Sequence, residues 1–282
     1  MRILSTFLGL MAATIAAPAF AQSAETIGKP VPKATGFQPA ATELARQIHS
    51  LDNLLLWIIV IITLFVTGLL AYCIVRFNRR SNPEPGTFTH NSPLEIAWTL
   101  GPILILLFIG ANSLPVLFNQ QEIPEGEVHI KVTGYQWYWG YEYTDHEFEF
   151  ESFLLGKDEL AANGYNDDEY LLATDTKVVV PIGKTVVMDV TGADVIHSWT
   201  IPAFGVKQDA VPGRIAQLWF KAEKEGIYFG QCSELCGKDH AYMPITVQVV
   251  SEAEYDAWLK GAIEEYAGDM STLPGMELAS AD

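Results

Sequence analysis

The stretch LLLWIIVIITLFVTGLLAYCIV, Leu54–Val75, runs for 22 residues without a charged side chain. As a helix it spans roughly 33 Å at 1.5 Å per residue, enough to cross a bilayer core of about 30 Å. A second run, IAWTLGPILILLFIGANSLPVLF (Ile96–Phe118), is interrupted by Gly101, Pro102 and Pro115. Lipid-embedded helices tolerate such breaks where neighbouring protein re-satisfies the backbone. Arg76, Arg79 and Arg80 lie between the two runs, so the positive-inside rule turns that loop toward the cytoplasm. Met1–Ala21 reads as a secretory signal, with Arg2 at its start and Ala19-Phe20-Ala21 as a cleavage site before Gln22. Both signals place the two mature termini outside. Cys73, late in the first run, is expected as a small buried hydrophobe. Glu95, at the mouth of the second, is either an interfacial carboxylate or part of a proton path, because acids at membrane depth are often functional.

Composition divides the chain. Residues 1–121 hold seven Lys+Arg against five Asp+Glu, which leaves ten basic and 29 acidic residues in the remainder. A region that negative repels nucleic acid and favours a cationic partner, although acidic surfaces also serve solubility alone.

From about Glu122 the pattern changes to short segments rich in β-branched and aromatic residues: 129–143, 176–183, 184–192, 215–222, 226–232 and 244–250. Val186, Met188 and Val190 alternate as a half-buried strand requires. Strands of this kind imply an all-β sandwich or barrel. Residues 144–170 read as an acidic, weakly patterned loop. Ser251-Glu252-Ala253-Glu254 opens a capped helix, and little fixed structure is expected after Gly268. The expected organisation is therefore a signal (1–21), an N-terminal segment with a transmembrane hairpin (22–121, helices about 54–75 and 96–118), an exported domain (122–250), and a C-terminal helix with an acidic tail (251–282).

Two of the three cysteines fall within QCSELCGKDHAYM (231–243), spaced Cys232-x3-Cys236-x3-His240-x2-Met243. An exported protein sits in an oxidising compartment, so thiols kept free there need a reason. A Cys232–Cys236 disulfide closes a very short loop and leaves His240 and Met243 without a task. Zinc takes two Cys and two His, but a thioether beside thiolates points toward copper. Mononuclear blue copper uses one Cys, two His and an axial Met, which is one cysteine too few for this cluster. Two thiolates can instead bridge two coppers, given a second histidine, and His197 in DVIHSWTIP is the best placed. Disulfide, zinc and binuclear copper all remain open on spacing alone. Upstream, GYQWYWGYEY (134–143) places Tyr135, Trp137, Tyr138, Trp139 and Tyr141 within seven positions. Alternating aromatics in a strand most often fill a core.

Taken with HSWTIPAFGVKQDAVPGR (197–214) and GQCSELCGKDHAYMPI (230–245), these features resemble subunit II of the bacterial, aa3-type haem–copper cytochrome c oxidases over nearly the whole chain. The resemblance implies an α+β membrane protein, a two-helix transmembrane hairpin followed by an all-β cupredoxin-like (Greek-key) domain. That domain would hold CuA, two copper ions bridged by Cys232 and Cys236, with His197 and His240 on one copper each. Met243 and the backbone carbonyl of Glu234 would be weak ligands. The Glu234 side chain would reach a magnesium or manganese ion shared with subunit I. Trp137 would receive electrons from cytochrome c, docked near Glu142, Asp175 and Asp194, and Glu95 would stand at the mouth of a proton pathway. Implied partners are cytochrome c, subunits I and III and membrane lipid, with no nucleic acid. The implied place is the bacterial inner (cytoplasmic) membrane, multi-pass, with both termini periplasmic. The complex would reduce dioxygen to water and pump protons, with no oxygen chemistry in this chain. A quinol oxidase subunit, which loses the copper ligands, and a nitrous-oxide-reducing enzyme with a similar copper domain are the alternatives. The complete ligand set opposes the first, and the membrane hairpin opposes the second.

Overall fold

The computed structural model describes residues 25–84 and 86–267. The expected signal peptide and the tail after Gly268 lie outside them. Strand β1 (Thr26–Gly28) comes first, followed by helices α1 (Glu43–Arg76) and α2 (Ser92–Gln121). Both helices are long and apolar enough to cross a membrane, and both outrun the apolar segments that announce them. The extra length of α1 has a local cause. Thr42 caps it by accepting from the Ala45 N–H at 3.0 Å, while its own hydroxyl donates to the Phe204 carbonyl at 2.7 Å. The helix therefore starts inside the exported domain, where Leu44 and Ala45 are buried. Asn91 caps α2 in the same manner, and Pro102 and Pro115 are carried within the helix. Beyond those first residues the apolar side chains of both helices face outward. Cys73 is among the exposed residues, contrary to the expectation of burial, because it sits on an outward face of α1.

The exported domain is a sandwich. One sheet has the order β4 (Phe148–Ser152), β3 (Tyr138–Tyr143), β2 (Val128–Tyr135), β6 (Val186–Gly192) and β9 (Ala216–Phe220). The other has the order β1, β10 (Gly226–Gln231), β11 (Pro244–Val250) and β5 (Val178–Pro181). A two-stranded pair, β7 (His197–Ile201) with β8 (Val206–Ala210), completes it. Helix α3 (Glu252–Ala262), with Ser251 and Glu254 forming the capping box, closes one end. Its Trp258 packs on Tyr143 and Phe148. Val132, Trp139, Met188 and Val190 on one inner face meet Val178, Val180, Ile245 and Val247 on the other. That interdigitation is how aligned sheets share a core.

Two expectations need correction. The stretch 129–143 is not one strand but the hairpin β2–β3, turning at Gln136 and Trp137. The supposed loop 144–170 begins with β4, whose sequence FEFES alternates buried Phe148 and Phe150 with exposed Glu149 and Glu151.

Candidate metal centre

Strand β10 ends at Gln231 and pairs antiparallel with β11, so the segment between them is a loop at one end of the sandwich. That loop carries Cys232, Glu234, Cys236, His240 and Met243, with the Cys232 N–H donating to the Met243 carbonyl at 3.4 Å to close its base. His197 enters from the start of β7. The two sulfurs lie 3.8 Å apart, far longer than the roughly 2.05 Å of a disulfide, and both cysteines are free. Around them stand the His197 Nδ1 atom, 4.0 Å from Cys232, and the Glu234 carbonyl, 3.3 Å from Cys232. The His240 Nδ1 atom is 3.5 Å from the Cys236 sulfur, and the Met243 thioether is 3.4 Å from it. All six expected ligands converge. His197, Cys232 and Cys236 offer donor atoms within 4.8 Å of one another, the spacing a metal site needs.

Cys232, Cys236, Met243 and His197 are buried, whereas His240 is only half-buried. Burial works against the Cys232 thiolate, but the imidazole of His197 and backbone N–H groups outweigh it and bring the thiol down to about 7. Burial, together with the neighbouring Cys232 sulfur, pushes Cys236 up to about 12. A metal that takes both sulfurs as thiolates displaces protons from the pair, so its binding is coupled to pH. Burial disfavours the charged imidazole of His197, yet its bonds to Cys232 and Asp194 raise its pKa overall.

Two glycines make room for the flanking rings. A Cβ on Gly134 would lie 2.8 Å from the His197 ring. Gly237 holds a φ of +126°, and a Cβ there would lie 2.9 Å from Trp137. Trp137 itself is half-buried at the β2–β3 turn, and its indole N–H donates to the Cys236 carbonyl at 3.2 Å. The Gln136 side-chain amide donates to the same carbonyl at 2.8 Å. Trp139, by contrast, is fully buried and packs edge-on against His197, which is the core role expected of the other aromatics.

The three carboxylates matched to docking are already bonded within the domain. Glu142 accepts from Lys131 at 2.7 Å, and Asp175 accepts from the Phe153 and Thr176 N–H groups at 2.8 and 2.7 Å. Asp194 accepts from His197 at 2.8 Å. Sequence reasoning missed Glu149 and Glu151, which project from β4 on the same outer face as Glu142, with Glu149 directly opposite it. The alternation in FEFES was the signal that could have found them. The Glu234 side chain is exposed while its carbonyl turns inward. Glu95 is not part of this cluster. It lies in the first turn of α2, where it accepts from the Asn91 N–H at 3.3 Å, roughly 39 Å along the helix from the exported end.

The sequence matches the family described as cytochrome C oxidase subunit II, periplasmic domain, over residues 128–250, and the corresponding transmembrane domain over residues 30–116. It is 64% identical over 268 residues to cytochrome c oxidase subunit 2 of Cereibacter sphaeroides, covering 90% of this chain and 88% of that one. A probable cytochrome c oxidase subunit 2 of Rickettsia bellii is 44% identical over 232 residues, covering 82% and 85%. Among solved structures, the periplasmic domain of subunit II of cytochrome oxidase of Bradyrhizobium japonicum is 48% identical, at a TM-score of 0.47, covering 51% of this chain and 99% of that one.

Proposed function

The chain belongs to the cytochrome c oxidase subunit II family, and from that premise we propose that it takes electrons from a basic cytochrome c and passes them toward a haem-bearing partner subunit. The observation that carries this reading is the convergence of four further ligand atoms on two unbonded sulfurs. Two buried thiols, two imidazoles, a thioether and a carbonyl suit the soft, borderline chemistry of copper. Bound there, copper would supply one-electron transfer, and two ions would share the charge change. Cys232, Cys236, His197 and His240 would hold the ions, with Met243 and the Glu234 carbonyl as weaker ligands. The copper occupies thiols that an oxidising compartment would otherwise consume. Two coppers per chain, with an unpaired electron shared between both nuclei by EPR, is the expected result. Stoichiometric zinc, or no metal, overturns it.

Trp137 is the proposed entrance, supported by its indole bond to the backbone of a ligand cysteine. Glu142, Asp175 and Asp194, joined by Glu149 and Glu151, present the negative face that a lysine-rich cytochrome would meet. Opposite fields of this kind accelerate encounter and weaken with salt. Replacing Trp137 with Gln is expected to slow reduction by cytochrome c while leaving the EPR signal intact, and unchanged transfer kinetics would remove the entrance role. The exposed Glu234 carboxylate is positioned to help hold a magnesium or manganese ion completed by subunit I. Loss of that ion, but not of copper, in Glu234→Gln tests this.

The hairpin anchors the exported domain in the inner membrane beside subunits I and III, with Arg76, Arg79 and Arg80 on the cytoplasmic side and both termini periplasmic. Glu95 would then face the cytoplasmic side, as a proton-pathway entrance requires. Turnover unaffected by Glu95→Ala would discard that role. The intact ligand set disfavours a quinol oxidase subunit, in which these residues have no task.

A further inference from the structure

Asp194 sits in the four-residue connection between β6 and β7, three positions before His197. Its carboxylate is engaged from three directions. Oδ1 accepts from the Nε2–H of His197 at 2.8 Å and from the Val195 N–H at 2.6 Å. Oδ2 accepts from the Gln136 N–H, at 2.8 Å, one residue before Trp137. A carboxylate only accepts, so the proton of the His197 ring is fixed on Nε2 and the lone pair on Nδ1 is left facing the sulfurs. The ring has no slack elsewhere, with the gap over Gly134 on one side and the Trp139 edge on the other. His240 is held differently. It stands on a single turn of 3-10 helix (His240–Tyr242), half-exposed, and among the described residues its ring is hydrogen-bonded only toward Cys236.

We infer that Asp194 is a positioning residue for the metal centre, holding His197 in its metal-binding tautomer and tying that ligand to the β2–β3 turn that carries Trp137. This rests on the copper reading above. It differs from docking, because the three bonds run into the domain and none requires a partner. Two consequences separate the functions. A negative charge bonded to a ligand imidazole favours the more positive, oxidised state of the centre, so its removal raises the reduction potential. Because the same carboxylate grips the turn before Trp137, its loss also loosens the entrance relative to the ligand.

The test uses the full chain in its purified oxidase, with no cytochrome c present, comparing wild type with Asp194→Asn, Asp194→Glu and Asp194→Ala. Copper per chain, the copper and nitrogen hyperfine couplings by EPR, and the potential from a redox titration of that signal are the readouts. Asp194→Asn keeps an oxygen acceptor without the charge. It is expected to retain two coppers, to shift to a higher potential and to change the nitrogen coupling of one histidine only. Asp194→Glu is expected to restore part of that shift, and Asp194→Ala to lower copper occupancy. If the wild type holds two coppers and Asp194→Asn leaves both potential and coupling unmoved, the positioning role is overturned while the copper reading stands. If the wild type itself lacks the two-copper signal, both fall together. An Asp194→Asn protein that fails to load copper, while Asp194→Glu loads it, supports the role.

Discussion

Trp57 in the hairpin is 67% exposed, whereas Trp199 in the sandwich is fully buried, at 0%. The same side chain takes opposite positions in two regions joined by one continuous chain. In the sandwich, water is the solvent, and burying apolar area between two sheets drives the packing. In the hairpin, lipid is the solvent, so outward apolar side chains cost nothing and the backbone satisfies itself along each helix. The two regions therefore respond to different insults. One is vulnerable to lost volume, the other to an added charge.

The largest expected effect lies in the sandwich. Trp199→Ala removes a buried ring that packs near Phe220, at a ring-centroid distance of 6.3 Å. The expected cost is about 3–5 kcal/mol, read as an earlier denaturation midpoint of the exported domain by near-UV circular dichroism. Leu64→Arg, at an outward position of α1, is next. Its expected cost is about 2.5–3.5 kcal/mol in membrane insertion, with the exported domain's unfolding unchanged. Loss of domain stability comparable to that of Trp199→Ala would break the distinction between the regions.

The smallest effect sharpens the comparison at the joint between them. Arg46 of α1 meets Glu223 of the sandwich through two bonds, at 2.6 and 2.7 Å. The Arg46 hydrogen bonds hold the Glu223 carboxyl below its ordinary pKa. A depressed folded pKa means that the stabilisation is complete above the unfolded value, roughly 4.3, and is lost as pH falls through the folded one. Glu223 is 39% exposed, so solvent screening makes the pair's contribution the smallest of the three. The stability gap between wild type and Glu223→Gln is expected to close as pH drops from 7 toward 3. A gap that persists at pH 3 would show that the carboxylate's charge is not its source.

The legibility of the chain divides along the same line. The run Leu54–Val75 has one physical reading in any context, and the hairpin follows from it. The turns of α1 before Leu54 were invisible because they depend on the distant Phe204 carbonyl. In the sandwich, Val186, Met188 and Val190 announced β6 by alternation. Strand β4 was overlooked because its outward residues are glutamates, which resemble a loop when counted by composition. The β2–β3 turn was missed because Gln136 and Trp137 carry none of the usual turn residues. The ligand set was readable because soft donors are rare and clustered, whereas the hold of Asp194 on Gln136 spans 58 positions and has no local mark.

Strand β1 carries a consequence in time rather than space. It lies parallel to β10, pairing Thr26 with Ile227 and Gly28 with Tyr228. Residues made before both membrane helices therefore wait for residues made about 200 positions later before finding their neighbour. Until they meet, β10, which leads directly into the ligand loop, stands as an unguarded rim open to pairing with another chain. Completion of that sheet therefore requires that both membrane helices and most of the exported domain have been made.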